Sequence, residues 1–291
     1  MKRPILNENN YKWWGLAALL SGTFVVSLGL SLLFPAMPVI MADFGATVSD
    51  VAWLSIAYAL AFAALQPVMG RLSDLYGRRR LFIGGMLTFL IGSGLAAASW
   101  DILSMSGARF VQGIGAAAIF PAGMAYIGEM FPREERGKAM GIWGIASGAA
   151  PAIGPLLGGF LVDWGGWRSL YYFSVLIGLI GVLAPWFILR PSETEKASGF
   201  DLVGSAWLFA GVGSILVVLN EGRDWGWTSP IIIGLLVTFG VCLIAFLLHE
   251  GRTDNPIADM DLLKSPFFLL LAGTAFVSFI ALQGAMFLIP F

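Results

Sequence analysis

Few residues in this chain could carry chemistry, and they are spread too thinly for catalysis. A single cysteine, Cys242, and a single histidine, His249, rule out an internal disulfide and a Cys/His metal centre. His249 falls beside Glu250 at the end of an apolar segment, where a solvated interfacial histidine is expected. No carboxylate stands deep in any apolar segment, so the acid clusters and His pairs of a membrane hydrolase are missing. Gly85, Gly92, Gly113 and Gly115 sit within hydrophobic runs rather than in strand-to-helix turns, and so do not make a phosphate cradle. No catalytic residue, metal or cofactor is expected, and the chain does not read as an enzyme. The exception among the charges is Arg109, several residues inside an apolar run, with Gln112 three residues on and therefore on the same helical face. A charge at such a place faces a cavity or a partner, unless its long stem lets it reach back to an interface.

The elements that must hold these residues are transmembrane helices. Of 291 residues 58% are hydrophobic and 12% charged, with a mean hydropathy of +0.82. A soluble domain carries about 25% charged residues, so half that supply cannot clothe a soluble surface and the excess apolar surface faces lipid. A spanning helix needs about 20 apolar residues. Nine such runs stand at about 14–36, 51–69, 80–99, 102–126, 139–162, 167–189, 202–220, 230–249 and 267–290. The first is too long for the hydrophobic region of a signal peptide and reads as a retained helix. Short polar loops separate most runs; 190–201 and 250–266 are the longer linkers.

Orientation follows from the basic residues, because cytoplasmic loops carry the excess of Lys and Arg. Alternate segments hold Lys2, Arg3, Lys12, then Arg71, Arg78, Arg79, Arg80, then Arg133, Arg136, Lys138, then Arg190, Lys196, then Arg252, Lys264. The opposite segments hold only Arg168 and Arg223. Nine helices with a cytoplasmic N-terminus account for this bias. A nucleic-acid-binding protein has no reason to show it, and none is expected as a partner.

Two further strings combine glycine with charge or proline. In GRLSDLYGRRR, Gly70 and Gly77 allow a sharp turn, Asp74 can cap the following helix or pair with an arginine, and Arg78 and Arg79 hold the loop at the cytosolic face. In GIWGIASGAAPAIGPLLGGF, Gly144/Gly148 and Gly154/Gly158 are spaced four apart, so each pair opens one helix face to a close neighbour. Pro151 and Pro155 should bend that helix. Taken by themselves these are a positive-inside turn and a tightly packed, kinked helix.

Together the strings resemble the major facilitator superfamily. The Gly70–Arg80 loop is similar to its signature loop, which implies a conformational latch of Gly70, Asp74, Gly77, Arg78 and Arg79. Arg109, Gln112 and Gly113 match its R-x-x-Q-G motif, which implies that Arg109 and Gln112 serve proton coupling. Gly141, Gly154, Pro155, Gly158 and Gly159 match the antiporter motif of drug:proton exchangers, with Ala150 where a glycine is usual. The strings at Val51–Pro67, Phe200–Gly204 and Trp225–Pro230 resemble the 14-helix branch of the EmrB/QacA type.

The resemblance implies an all-α major facilitator fold, divided as residues 1–190 (an N-terminal six-helix bundle), 191–266 (a linker with two inserted helices) and 267–291 (the first helix of a second bundle). It implies a multi-pass protein of the plasma or inner membrane. The function would be alternating-access efflux of small hydrophobic or cationic compounds in exchange for protons. Trp53, Tyr58, Met124, Tyr126 and Trp143 are candidates for lining the cavity. Two features depart from the branch. Gly29 stands where it has an aspartate in the first helix, and Phe291 closes the ninth helix where it continues for about five more. A chain ending there should insert but not transport, and Asp74 and Arg78 would face only water and headgroups. A transport-incompetent membrane scaffold is the alternative.

Overall fold

The computed structural model describes residues 8–192, 201–253, 256–257 and 260–288, and every regular element among them is a helix. The helices are α1 (Glu8–Ser31), α2 (Leu33–Phe44), α3 (Val48–Tyr76), α4 (Arg78–Ala97), α5 (Ile102–Met130) and α6 (Arg133–Gly165). They are followed by α7 (Arg168–Ile188), α8 (Leu202–Trp225), α9 (Pro230–Glu250), the short α10 (Met260–Lys264) and α11 (Pro266–Leu288). Eight helices among the described residues are long and apolar enough to cross a membrane, and α11 follows the eighth as a further apolar helix.

Local chemistry sets the helix ends. Thr47 caps α3 in a reciprocal box with Asp50, the Asp50 amide donating to Thr47 Oγ1 (3.2 Å) and the Thr47 amide to Asp50 Oδ2 (2.8 Å). Asp101 and Ser104 repeat the device on α5, and Ser229 with Pro230 opens α9. Gly77, at φ 95°, ends α3 and starts α4 with no residue to spare, a conformation that a side chain would strain.

The first expected helix is broken in two. α1 stops at Ser31 and α2 begins at Leu33. Pro35 supplies the cause, because it has no N–H to return to the Ser31 carbonyl four residues back. The other helices match their apolar cores but run past them at the polar ends: α3 reaches Tyr76, α6 starts at Arg133 and α8 continues to Trp225. The last extension amends the expectation that acids stay out of the apolar segments. Glu221 lies one turn inside α8 and is buried, with Asn220 Nδ2 donating to its Oε1 at 2.8 Å.

α5 packs along both α3 and α4; α1 lies against α6 and α7, and α4 against α7. α8 and α9 pair with each other and meet the rest mainly through α3, with Phe209 of α8 also edge-on to Phe110 of α5. Two apolar clusters form the interior. One holds Phe82, Phe89, Ile127, Phe131 and Trp143, the other Leu33, Ile40, Leu54, Trp167 and Tyr171. Large apolar side chains such as Leu156, Phe160, Leu176 and Leu219 cover the outside, as suits a surface turned to lipid.

Candidate functional site

Arg109 stands seven residues inside α5, about 10 Å along the helix from its start. It is 1% exposed, so it does not reach an interface, and the snorkelling alternative is excluded. Its guanidinium is held from three directions. Nε donates to the Leu54 carbonyl of α3 (3.2 Å), Nη1 donates to Gln112 Oε1 (2.8 Å), and the Tyr58 ring lies 4.7 Å beneath the charge. Gln112 turns its other end to α4, where Nε2 donates to Ser93 Oγ (2.7 Å), and Ser93 donates to the Phe89 carbonyl (2.9 Å). One polar chain thus links α3, α5 and α4 where the two apolar clusters meet.

Glycine makes that approach feasible. A Cβ at Gly113 would stand 2.5 Å from the Tyr58 carbonyl oxygen, and one at Gly92 2.6 Å from the Gln112 amide. The two contacts draw α3 and α4 against opposite sides of α5 at the level of Arg109. Every named partner of Arg109 is neutral. Beside the network lies a cavity with room for about one water molecule, about 10 Å³ of water-accessible space. Gly29, Gln112, Tyr171 and Ser174 line it, with leucines of α2 and α7. Gly29, expected only as the place of a missing acid, therefore borders the Arg109 network.

In the Gly70–Arg80 string the turn is made at Gly77 alone, and Gly70, expected to help the chain turn, lies inside α3. Asp74 does not cap α4 but takes its other expected role. It pairs with Arg78 (3.4 Å), which also bonds Glu129 (3.2 Å) and the Ala125 carbonyl (2.9 Å) of α5. Asp74 and Arg78 therefore do not face only water and headgroups: their partners belong to the same group of helices. Arg79 lies over the Trp186 ring at 5.7 Å and donates from its backbone to Ser192 Oγ (3.0 Å), tying the turn to the end of α7. Gly70 borders Pro121 on α5.

On α6 the two glycine pairs have different surroundings. Gly154 faces Ser31 so closely that a Cβ would overlap its hydroxyl, and a Cβ on Gly158 would lie 2.9 Å from the Leu32 carbonyl. This pair, with Pro155 between its members, seats α6 on the break between α1 and α2. Gly144 and Gly148, expected to admit a close neighbour, have none within 4 Å, and neither do Gly141 and Gly159.

Of the residues expected along a cavity wall, Tyr58, Tyr126 and Trp143 are packed inside the first apolar cluster instead. Tyr126 donates to the Arg190 carbonyl (2.6 Å) and meets the Tyr11 hydroxyl (3.1 Å), and Trp143 is pressed against Gly123 and Phe120. Trp53 is half-buried, and only Met124 is exposed. His249 is not simply solvated: its Nε2 meets Asp201 Oδ1 at 2.9 Å, and Asp201 caps α8 through the Gly204 amide (2.8 Å). Ser93, Tyr171 and Ser174 were not foreseen, and small polar residues in apolar runs were the available signal. Lys2, Arg3, Lys196, Phe200 and Phe291 lie outside the described residues.

Stacked apolar helices, a buried arginine in a neutral cradle and glycines seating a broken helix define a polytopic helical membrane protein of transporter architecture. The chain matches the Major Facilitator Superfamily over residues 19–291, and it belongs to that family. It is 32% identical over 280 residues to the multidrug transporter protein MdtP of Bacillus subtilis, covering 95% of this chain and 51% of that protein. It is 33% identical over 275 residues to the multidrug export protein EmrB of Haemophilus influenzae, covering 94% and 54%. The chain thus spans about half the length of these curated relatives. The crystal structure of the human organic anion transporter MFSD10 shares the fold, with a TM-score of 0.56 at 16% identity, over 83% of this chain and 72% of that one.

Proposed function

We propose that this chain contributes the proton-coupling half of a membrane exporter of small hydrophobic or cationic compounds. The reading is carried by the seating of Gly154 and Gly158 on the α1–α2 break, beside a buried arginine that has no carboxylate partner among the described residues. Relatives named as multidrug transport and export proteins agree with it. Residues 1–190 act as one six-helix bundle, 191–266 as a linker with two inserted helices, and 267–291 as the opening of a second bundle. The protein lies in the plasma or inner membrane with its N-terminus in the cytoplasm. Arg109 and Gln112 couple proton movement to the packing of α3, α4 and α5. Gly70, Asp74, Gly77, Arg78 and Arg79 at the α3–α4 junction act as the latch, and Gly141, Gly154, Pro155, Gly158 and Gly159 make up the antiporter motif of α6. Alternating access moves one bundle against another around a site near the midplane.

The test joins this chain to the remaining half of MdtP and reconstitutes the hybrid in proteoliposomes. A pH gradient should drive export of a cationic drug. Arg109→Ala should abolish the coupling, and Arg109→Lys should restore part of it, because an ammonium cannot reproduce the planar donor set. Drug uptake in place of efflux, or full coupling in Arg109→Ala, would refute the proposal.

A further inference from the structure

The helix that leaves the α3–α4 junction has no cap of its own. Gly77 stands at the N-cap of α4 without a side-chain bond, and the first amides of a helix have no partner within it. The Arg79 amide is met instead by a residue far along the chain, donating to Ser192 Oγ at 3.0 Å. Ser192 lies just past the end of α7, where the chain enters the linker. A remote hydroxyl thus caps α4 at the junction that carries Arg78 and Arg79.

The stretch that brings Ser192 there is anchored along its length. Leu189 is extended (φ −70°, ψ 137°) and 3% exposed in the first apolar cluster. Arg190 is gripped on both sides of its backbone. Its amide donates to Tyr11 Oη of α1 (2.9 Å), and its carbonyl accepts from Tyr126 Oη of α5 (2.6 Å). The Arg190 guanidinium lies 4.2 Å from the centre of the Tyr11 ring. Between this grip and Ser192 stands Pro191, whose ring fixes its own φ and keeps the preceding residue extended. Two residues of extended chain span about 7 Å and have no slack to give up. Displacing the first turn of α4 therefore either breaks the Arg79–Ser192 bond or pulls Arg190 against its two tyrosines.

We propose that residues 189–192 form a stiff strap, with Ser192 as a positioning residue for the α3–α4 junction, so that this junction and the start of the linker move as one. The strap is a property of this chain. Its consequence for transport, that release of the latch carries the start of the linker with it, rests on the reading of the junction as a latch.

The test follows amide hydrogen exchange in the purified 291-residue chain in lipid nanodiscs. Ser192→Ala should speed exchange of the Arg79 amide about ten-fold, through loss of one hydrogen bond, and Ser192→Thr should restore the parent rate. Tyr11→Phe removes a hydroxyl whose bonds go to Arg190 and Tyr126, not to α4. It should nevertheless speed exchange at Arg79 about three-fold. The Asp50 amide, capped by Thr47 at the start of α3, should keep its rate in both variants. In a Pro191→Gly background the strap is slack, and Tyr11→Phe should no longer reach Arg79. Each of the two test variants removes a single hydroxyl, so the fold is not at stake. Parent exchange at Arg79 in either variant overturns the proposal. So does an equal rise at Asp50, which means general loosening, or an effect of Tyr11→Phe that survives Pro191→Gly. In the hybrid exporter Ser192→Ala should slow drug export; unchanged export beside the full exchange response refutes the latch reading and leaves the strap standing.

Discussion

At the scale of the residue, burial and charge divide the polar side chains into two populations. Inside, Arg109, Gln112 and Ser93 form a chain in which each member's placement depends on the next. At the ends of the helices, polar residues join elements that are remote in sequence. Asp43, at the end of α2, accepts from Trp167 Nε1 (2.9 Å) and Arg168 Nη1 (3.1 Å), and Arg168 also donates to the Ser99 carbonyl (3.1 Å). The Trp167 hydrogen bond, followed by that of Arg168, holds the Asp43 carboxyl below the usual aspartate range. A depressed folded-state value means the contribution is full above the unfolded aspartate value and is lost as pH falls through the folded one. Thermal unfolding of the chain should therefore lose stability below about pH 4. Asp43→Asn should flatten that slope while leaving the neutral-pH curve lower and nearly level. An unchanged acid slope would mean that other carboxylates dominate.

At the scale of the element, α6 shows how small residues act where apolar burial cannot. Lipid is as apolar as leucine, so helices associate through close packing and hydrogen bonds. Gly154 and Gly158 put the backbone of α6 against Ser31 and Leu32, at the one place where the first helix is broken. Gly144 and Gly148 repeat the same spacing with open space beside them. The two pairs should respond differently to an added side chain. Gly154→Leu should cost about 1–3 kcal/mol by forcing α6 off α1, whereas Gly144→Ala should leave unfolding of this chain within about 0.5 kcal/mol of the parent. Denaturant titration of both variants in mixed micelles checks the contrast. Similar losses in the two would show that the spacing, and not the neighbour, carries the effect.

At the scale of the whole molecule, the proposed sidedness rests on the helix order and the charge bias together. The Lys- and Arg-rich helix ends at Gly70–Arg80 and Pro132–Lys138 stand at one end of the bundle, and the Asp43–Trp167–Arg168 contacts at the other. With Cys242 replaced by alanine, a cysteine at Tyr76 should react only with a reagent on the cytosolic side. A cysteine at Trp227 should react only with one outside, since both positions are well exposed. Labelling at position 76 from outside would invalidate the orientation and with it the assignment of the latch to the cytosolic face.

The sequence by itself determined the order of the apolar spans, and eight of the nine it leads one to expect stand among the described residues as helices long enough to cross a membrane, because membrane thickness demands about 20 apolar residues each time. It also determined the family, since the Gly70–Arg80, Arg109–Gly113 and Gly141–Phe160 strings are local and keep their spacing. Position along a helix was legible too: Arg109 inside its run could be seen to be deep. What stands beside a residue could not be seen. The partners of Arg78 on α5, the Ser93 end of the Gln112 chain and the Ser31 face under Gly154 are all set by which helices pack together. Large side chains were equally ambiguous, because Tyr126 and Trp143 fit a core as well as a cavity wall and only packing decides between them. The tertiary structure alone placed Gly29, Tyr171 and Gln112 around one small cavity, since those residues come from three helices whose contact leaves no trace in local pattern.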